Sequence, residues 1–420
     1  MSTPLRFCMI TTFYPPYNFG GDGVFVHRLS NELARRGHTV HVIHCLDSYR
    51  FFTRGNPAEP ADDHPNVTVH RLKSPFGFLS PLATHQTGLP LLKGRRIREI
   101  LDLGFDVIHY HNISLVGGPG LFRYGRAVKL CTLHDYWMSC PTSLMLRFNR
   151  AACARPHCVL CTLASRRPPQ LWRYTPLLRR AAKHVDAFLA ATAFPATVHR
   201  RMGFDAPITV MPYFVPSPES SSSSSSSSSS IPARPYFLVV ARLEPCKGVQ
   251  TLIPVFRRYP RADLLVVGTG GYESELHRLA AGADNIRFLG RLPDSQLQQV
   301  RRGATAVLVP SLCFETCALV TLEAFSQGVP AIVRDLGAMP EPVRESGGGL
   351  VYETDSQLLD AMNRLLDEPG LRDELGRNAL RAFQERWSPD AHIARYLALI
   401  RDLAARRAQS ACLDTRPPVA

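Results

Sequence analysis

Eleven consecutive serines, Ser220–Ser230, interrupt the chain near its middle, flanked by Pro216, Pro218, Pro232 and Pro235. Such a run has no apolar surface to bury and cannot offset the entropy of ordering, so it reads as a solvated tether between two separately folded parts. Both sides of the tether show the same alternation. On the N-terminal side Phe7–Thr12 reads as a buried strand, followed by a glycine-rich turn at Gly20, Gly21 and Gly23. A helix follows, with Phe25, Leu29 and Leu33 four apart on one face, and Gly37-His38 ends it ahead of a strand at Val40–Cys45. Strand-length apolar runs recur at Asp106–His111, Lys129–Leu133, Ala187–Ala191 and Ile208–Met211. Beyond the tether they lie at Tyr236–Ala241, Leu264–Gly268, Ile286–Leu289, Ala306–Pro310 and Ala331–Val333. Strands alternating with helices predict βαβ units and parallel sheets. The expected fold class is therefore α/β, with two doubly wound, Rossmann-like domains facing across a cleft. Ligands of such sheets bind outside the carboxyl ends of the strands. The expected division is a domain over 1–216, a Ser/Pro-rich linker over 217–235, a second domain over 236–387, a helix over 388–408 packing back on the first domain, and a tail over 409–420.

With 45% hydrophobic and 20% charged residues, the chain has the composition of a globular protein rather than a fibrous or disordered one. No uninterrupted apolar stretch reaches the ~18 residues of a membrane-spanning helix. The N-terminal apolar run meets Pro15-Pro16 without a small-residue cleavage site, which argues against a secretory signal. Eleven cysteines, an odd number spread over a long chain, favour reduced thiols in a cytoplasmic setting. The net charge of +14 is unevenly distributed. Residues 1–218 carry 26 Lys+Arg against 12 Asp+Glu, and the remaining 202 carry 23 of each. A chain that coats nucleic acid along its length would not be neutral over half of it.

Two constellations carry chemistry. Phe314-Glu315-Thr-Cys-Ala-Leu-Val-Thr-Leu-Glu323-Ala324 sets two glutamates eight positions apart, the first after a strand and loop, the second inside an apolar helix. At 1.5 Å rise per residue the two carboxylates can face one cleft about 12 Å apart, which suits two ends of an extended ligand. In the alternative, Glu315 caps the helix and Glu323 is a surface residue. Ala241-Arg242-Leu-Glu-Pro-Cys-Lys247-Gly248 follows directly on the first strand of the second half. An Arg fork and a Lys point charge in a strand-to-helix turn can hold a diphosphate, assisted by the dipole of the following helix. Two exposed loop cations are the alternative.

Arg242-x4-Lys247-Gly248 together with Glu315-x7-Glu323 resembles the family 4 glycosyltransferases, retaining enzymes of the GT-B fold. Pro15–Gly23 with Arg36–Val40, Asp106-Val-Ile-His109-Tyr-His111, Asn285–Gly290 and Trp387–Tyr396 fit the family in the same order. The resemblance implies that Arg242 and Lys247 bind the diphosphate of a nucleotide-sugar donor and stabilise the charge on the leaving group. It implies that Glu315 contacts the transferred sugar, Glu323 the ribose, and the backbone of Gly20 and Gly21 the phosphates. Asp22 would face the acceptor, and His109 or His111 the sugar ring. The domain over 1–216 would bind the acceptor and the domain over 236–387 the donor. Cys317-Ala318 stands where such enzymes commonly have glycine, which bears on donor identity. The sequence holds no Asp-x-Asp tripeptide; cation-independent phosphate binding through Arg and Lys is expected, with no cofactor required for catalysis.

Cys140, Cys153, Cys158 and Cys161 fall within 22 residues, with His157 nearby. The spacing C-x12-C-x4-C-x2-C suits a structural zinc site or an iron–sulfur cluster in an insert over 140–161; unliganded thiols are the alternative. Arg166-Arg167-Pro-Pro-Gln-Leu-Trp172-Arg173-Tyr174, then Arg179, Arg180 and Lys183, with Lys93, Arg95, Arg96 and Arg98 upstream, interleaves cations with aromatic rings. That pattern suits an anionic membrane surface. The expectation is a retaining transferase that moves a hexose from a nucleotide-sugar donor to a hydroxyl of a glycan or lipid-linked acceptor, in the cytoplasm or peripheral at the inner membrane face. No side chain stands out as a covalent nucleophile, so front-face displacement is expected, the departing phosphate taking the acceptor proton. The rivals are another GT-B enzyme, such as a nucleotide-sugar epimerase or hydrolase, and a non-catalytic basic binding protein; no nucleic-acid motif is present.

Overall fold

A computed structural model describes residues 3–53, 57, 62–148, 151–153, 157–218 and 234–414. The serine tether and residues 415–420 lie outside the described residues. Two compact units are present. The first is built from the chain up to Ala191, from Pro195–Met211 and from the segment that starts at Ile393. The second takes Thr192–Phe194 and Pro212–His392.

The first unit holds β1 (Arg6–Ile10), β2 (Thr39–Cys45), β3 (Val67–Leu72), β4 (Val107–Tyr110), β5 (Val128–Thr132), the short antiparallel pair β6 (Leu146–Arg147) and β7 (Ala151–Ala152), β8 (Ala187–Ala190) and β9 (Ile208–Val210). Seven of these form one parallel sheet in the order β3-β2-β1-β4-β5-β8-β9. The second unit repeats the plan with β10 (Tyr236–Val240), β11 (Asp263–Val267), β12 (Ile286–Gly290), β13 (Ala306–Val309), β14 (Ala331–Arg334) and β15 (Gly349–Tyr352), ordered β12-β11-β10-β13-β14-β15 and again parallel. Each unit is thus a doubly wound, Rossmann-like α/β domain.

Central strands such as Phe7–Ile10, Leu264–Val267 and Ala306–Val309 are buried along their whole length, because helices cover both faces of a parallel sheet. That is why they read as unbroken apolar runs. β3 and β15 do not read so. Both are edge or near-edge strands whose residues, apart from Leu72 and Tyr352, are half-exposed or exposed. Their mixed composition follows from that solvation, and the apolar-run criterion misses both. In the first unit the helix Gly21–Arg35 buries Phe25, Leu29 and Leu33 against the sheet, and Gly37, at φ +85°, turns the chain into β2.

The strand order reverses once in each sheet. In the first unit β1 leads one way to β2 and the other way to β4; in the second β10 lies between β11 and β13. Loops leaving the carboxyl ends of the two strands at such a point diverge to opposite faces and leave a crevice.

The long helix Pro389–Asp414 returns the chain to the first unit. Tyr396, fully buried, stacks on Phe7 with ring centroids 6.1 Å apart and shares a 2.9 Å hydrogen bond with His109 Nδ1. Arg407 Nη1 donates to Asp186 at 2.8 Å. Tyr396→Phe removes one hydrogen bond from a buried ring and is expected to cost about 1 kcal/mol. Tyr396→Ala also opens a cavity and is expected to cost about 3–5 kcal/mol. Urea titration followed by tryptophan fluorescence checks both; equal midpoints for the two variants would refute the packing role.

Candidate active site

In the second unit the strand reversal places two loops side by side. The chain leaving β10 runs Ala241-Arg242-Leu243-Glu244, makes a single helical turn at Pro245–Lys247, and enters the helix Val249–Arg257. The chain leaving β13 runs Pro310–Ala318 into the helix Leu319–Phe325. Their backbones touch: Leu312 N donates to the Cys246 carbonyl at 2.7 Å. Gly248 is required at this crossing. Its φ is +76°, and a Cβ there would sit 2.0 Å from the Pro310 carbonyl oxygen.

This approach brings Lys247 to Glu315. Lys247 Nζ lies 2.7 Å from Glu315 Oε1, and Ser311 Oγ donates to the same carboxylate oxygen at 2.8 Å. Burial alone would lower the Lys247 pKa, but the adjoining Glu315 carboxylate outweighs it and holds the ammonium above its ordinary value. The lysine is therefore fully charged, beside a helix N-terminus. Arg242 stands on the same turn, its Nε 3.9 Å from Glu244 Oε1, with about half of its side chain exposed. Glu315 lies in the loop ahead of the helix and does not cap it: Ala318 holds the cap position with no side-chain hydrogen bond. Glu323 is inside that helix and is held by Arg301, whose Nη2 donates to its Oε2 at 2.9 Å. Arg301 is 5% exposed, so this is an anchored carboxylate rather than a surface one.

Sequence reasoning missed three contributors. Ser311 and Arg301 orient the two glutamates, and nothing local in the sequence marks them. The turn Gly268–Gly271 packs on the Arg242 segment so tightly that a Cβ at Gly268 would meet the Ala241 carbonyl oxygen at 1.9 Å, and one at Gly270 the Leu243 carbonyl oxygen at 2.3 Å. Three glycines in four residues after a strand were the available signal.

In the first unit the reversal between β1 and β4 gathers a second polar group. Gly20, in extended backbone, caps the helix Gly21–Arg35, and Asp22 in its first turn accepts from Asn112 Nδ2 at 3.0 Å. A Cβ on Gly23 would strike the Asn18 side chain, so the turn closes only around glycine. His109 and His111 have different fates. His109 is buried with Nδ1 engaged by Tyr396 and Nε2 by Thr132 Oγ1 at 2.8 Å, a bridge inside the core. His111 Nδ1 meets His134 Nε2 at 2.9 Å, while its Nε2 has no hydrogen-bond partner. A narrow pocket of about 10 Å³, space for one water, is lined by His111, Asn112, His134 and Asp135.

Two expectations from the sequence are corrected. Among the described residues no three His, Cys, Asp or Glu are placed to hold a metal ion. Cys140 Sγ is engaged by Thr142 Oγ1 at 3.3 Å, and Cys161 Sγ accepts from Phe148 N at 3.4 Å and reaches the Leu146 carbonyl at 3.7 Å. These thiols are tied into the fold of the insert, and the zinc or iron–sulfur site that the spacing of Cys140, Cys153, Cys158 and Cys161 suggested is not supported. The basic aromatic cluster is also thinner than it reads. Trp172 is 2% exposed; Arg173 stacks 4.4 Å from its ring centroid and donates to the Met138 carbonyl at 3.1 Å. Lys93 is 3% exposed and donates to Ser80 Oγ at 2.6 Å. These three are structural members of the first unit.

Burial governs the titration of this unit. It lowers His134 to about 4 (against an opposing pull from Asp22), His199 to about 4 and His44 to about 3, while it raises Asp135 to about 6. The unfolded imidazoles take protons near pH 6.5 and the folded ones only near 3–4. Their contribution to stability is complete above about pH 6.5 and is lost as pH falls toward 4. Asp135 acts oppositely, since the folded carboxyl keeps its proton to about pH 6 and the unfolded one to about 3.9. Three imidazoles outweigh one carboxyl, so the melting temperature of the chain is expected to fall between pH 7 and pH 5. Each uncompensated proton steepens the loss by about 1.4 kcal/mol per pH unit. Calorimetry at pH 7, 6 and 5 checks this; a flat profile would contradict the buried neutral imidazoles.

The profile "Glycosyltransferase Family 4" matches residues 19–217, and "Glycosyl transferases group 1" matches 223–382. A GDP-mannose-dependent monoacylated alpha-(1-6)-phosphatidylinositol monomannoside mannosyltransferase of Corynebacterium glutamicum is 35% identical over 160 residues, covering 35% of this chain and 42% of that protein. The chain thus spans less than half the length of that relative, and 37–38% of two D-inositol 3-phosphate glycosyltransferases that it also matches. A GDP-mannose-dependent alpha-(1-6)-phosphatidylinositol monomannoside mannosyltransferase of Mycobacterium tuberculosis is 24% identical over 330 residues, covering 72% of this chain and 85% of that protein. Among solved structures, sucrose-phosphate synthase from Thermosynechococcus elongatus superimposes with a TM-score of 0.73 at 19% identity, over 96% of this chain and 100% of that one. Anabaena Alr3699/HepE, in complex with UDP and glucose, gives a TM-score of 0.63 at 17% identity, over 94% and 99% of the respective chains. The structural likeness is one of fold, the GT-B architecture.

Proposed function

The chain belongs to the family 4 glycosyltransferases, and on that premise we propose that it moves a sugar from a nucleoside-diphosphate donor to a hydroxyl of a glycan or lipid-linked acceptor, with retention at the anomeric carbon. The observation that carries the donor reading is the Lys247–Glu315–Ser311 cluster, at the strand reversal and ahead of a helix N-terminus. A diphosphate arriving there would draw the Lys247 ammonium off Glu315 and take Arg242 as a second cation. Glu315, released, would accept from hydroxyls of the sugar. Glu323, aimed by Arg301, would accept from the ribose hydroxyls.

Retention without a protein nucleophile follows from front-face displacement. The donor's C1–O bond to phosphate breaks, the acceptor oxygen bonds C1 on the same face, and the acceptor proton passes to the departing phosphate. Lys247 and Arg242 stabilise the charge that develops on that phosphate, and the site needs little reorganisation because both are already placed. On the acceptor side Asp22, oriented by Asn112, would face the incoming hydroxyl. His111, whose buried Nε2 has no hydrogen-bond partner, is the one of the pair to which we assign the sugar-facing role; His109 has both ring nitrogens engaged in the core. GDP-mannose is the first donor to test, since the relatives from C. glutamicum and M. tuberculosis are named for it; UDP-sugars are the second.

An anionic membrane surface is the partner we assign to the first unit. Phe51, Phe52, Phe76 and Phe78 are each more than half exposed, with Leu79 and Leu82 beside them. The helices Leu46–Phe52 and Leu79–Thr87 pack together, and the turn Leu171–Tyr174, with Leu171 and Tyr174 about 60% exposed, packs on the latter. Exposed Arg50 lies in the first of these helices, exposed Lys73 precedes Phe76, and exposed Arg166 and Arg167 precede the turn Leu171–Tyr174. Apolar side chains to insert and cations to meet headgroups is the composition of an interfacial surface.

Lys247→Ala and Glu315→Ala are each expected to lower transfer from the donor by about a hundredfold or more while the chain stays folded, with a lowered melting temperature from the unpaired charge left behind. Radiolabelled sugar transfer and calorimetry check this, and near-wild-type rates would overturn the site. Sugar appearing on an added acceptor with the donor's anomeric configuration separates this reaction from hydrolysis or epimerisation. The full chain is expected to sediment with phosphatidylglycerol vesicles at low salt, and Phe76→Ser with Phe78→Ser to reduce that binding; no binding at low salt would remove the membrane assignment.

A further inference from the structure

The two loops that carry Lys247 and Glu315 each also bring a thiol to their crossing. Cys246 immediately precedes Lys247, Cys313 lies two residues before Glu315, and the two thiols hydrogen bond to each other. Cys313 is 4% exposed, while Cys246 is half-buried and open to small solutes. The backbone fixes their approach independently of the thiols, through the 2.7 Å bond from Leu312 N to the Cys246 carbonyl and the close passage of Gly248 over Pro310. Neither cysteine has a part in the donor chemistry described above.

We propose that Cys246 and Cys313 form a reversible redox site, in which mild oxidation by a peroxide joins them as a disulfide and weakens the binding of a nucleoside diphosphate by the second unit. The consequence for binding rests on the donor reading of Lys247; the disulfide itself does not. Their surroundings assign the two sulfurs different tasks. The hydrogen bond from Cys313, then the Lys247 and Arg242 cations, favour the Cys246 thiolate and outweigh burial and Glu315, bringing its pKa down to about 7. The Cys313 thiol, donating that bond and buried beside Glu315, is pushed up. Cys246 is the nucleophile and Cys313 the resolving thiol.

The chemistry balances with hydrogen peroxide as oxidant. The Cys246 thiolate attacks one peroxide oxygen, the O–O bond breaks, hydroxide leaves and is protonated to water, and a sulfenic acid remains. The Cys313 sulfur then attacks the Cys246 sulfur, its proton accompanies the departing hydroxide as a second water, and the S–S bond forms. Two thiols lose two electrons and one peroxide becomes two waters. A small dithiol returns the pair to the reduced state by exchange. The bond would fix the turn and the loop at the spacing where Lys247 is already held by Glu315. A diphosphate must compete with Glu315 for that ammonium, and loops locked together would yield it less readily.

The full chain is reduced with dithiothreitol, desalted, and divided; one portion receives stoichiometric hydrogen peroxide. Both are digested without reductant for mass spectrometry and titrated with GDP and with UDP by calorimetry. The expected result is a cross-linked pair of peptides containing Cys246 and Cys313, a dissociation constant about tenfold higher after oxidation, and return of both to the starting values with dithiothreitol. Cys313→Ser is expected to abolish the cross-link and to leave a sulfenic acid at Cys246 that dimedone captures. Absence of the cross-link in the wild-type chain overturns the proposal, and a cross-link with unchanged nucleotide binding overturns its regulatory half. If the reduced chain binds neither nucleotide, the donor reading fails, and a cross-linked peptide still affirms the dithiol site.

Discussion

The reversal of strand order in each sheet is the constraint on which the rest depends. Parallel strands wound outward in both directions from β1 and from β10 send consecutive crossovers to opposite faces. Only at that point do loops from strands distant in sequence emerge side by side with room between them. Lys247 and Glu315 are 68 positions apart and meet because β10 and β13 are neighbours. Asp22 and Asn112, 90 apart, meet because β1 and β4 are. The polar groups could not be assembled by local sequence; the topology supplies the proximity, and glycines at 23, 248, 268 and 270 let the backbones close in.

What was legible in the sequence follows from the same physics. Central strands buried on both faces must be apolar throughout, so Phe7–Ile10 and Leu264–Val267 announced themselves. β3 and β15, half-solvated near the sheet margins, carried no such signal. The two motifs stood out because each is contiguous: Arg242 and Lys247 share one turn, and Glu315 and Glu323 share one loop and helix. Their supports were not legible, since Arg301 and Ser311 take meaning only from what they touch. His109 and His111 looked equivalent at i and i+2 on a strand. Their partners separate them: one is tied by Thr132 and Tyr396, the other keeps an open nitrogen. The cysteine insert misled for a related reason, because spacing alone does not aim four sulfurs at one point.

Charge shows a similar sorting. The excess of cations in residues 1–218 looked like one property, yet its members do separate things. Lys93 is buried and Arg173 half-buried, both tied into the first unit, and Arg95 and Arg96 pair with Glu99. Some of the exposed cations, Arg50 and Lys73 among them, lie close in sequence to exposed phenylalanines, which a count of charges does not reveal. Over residues 219–420 the balance is even, and two cations at one turn carry the phosphate chemistry that we assign to the second unit.

The stacking of Tyr396 on Phe7 has a consequence for how the chain is made. The N-terminal sheet is synthesised first, yet the tyrosine that closes over β1 and binds His109 on β4 is translated only after the second unit. Domains ordinarily fold as units during synthesis, N-terminal first. Here the first unit must wait, with an open flank on its sheet, until the whole of the second has been translated. Completion of its packing is thereby made contingent on translation of the other, and a chain ended before Tyr396 would lack the ring that stacks on Phe7 and bonds His109.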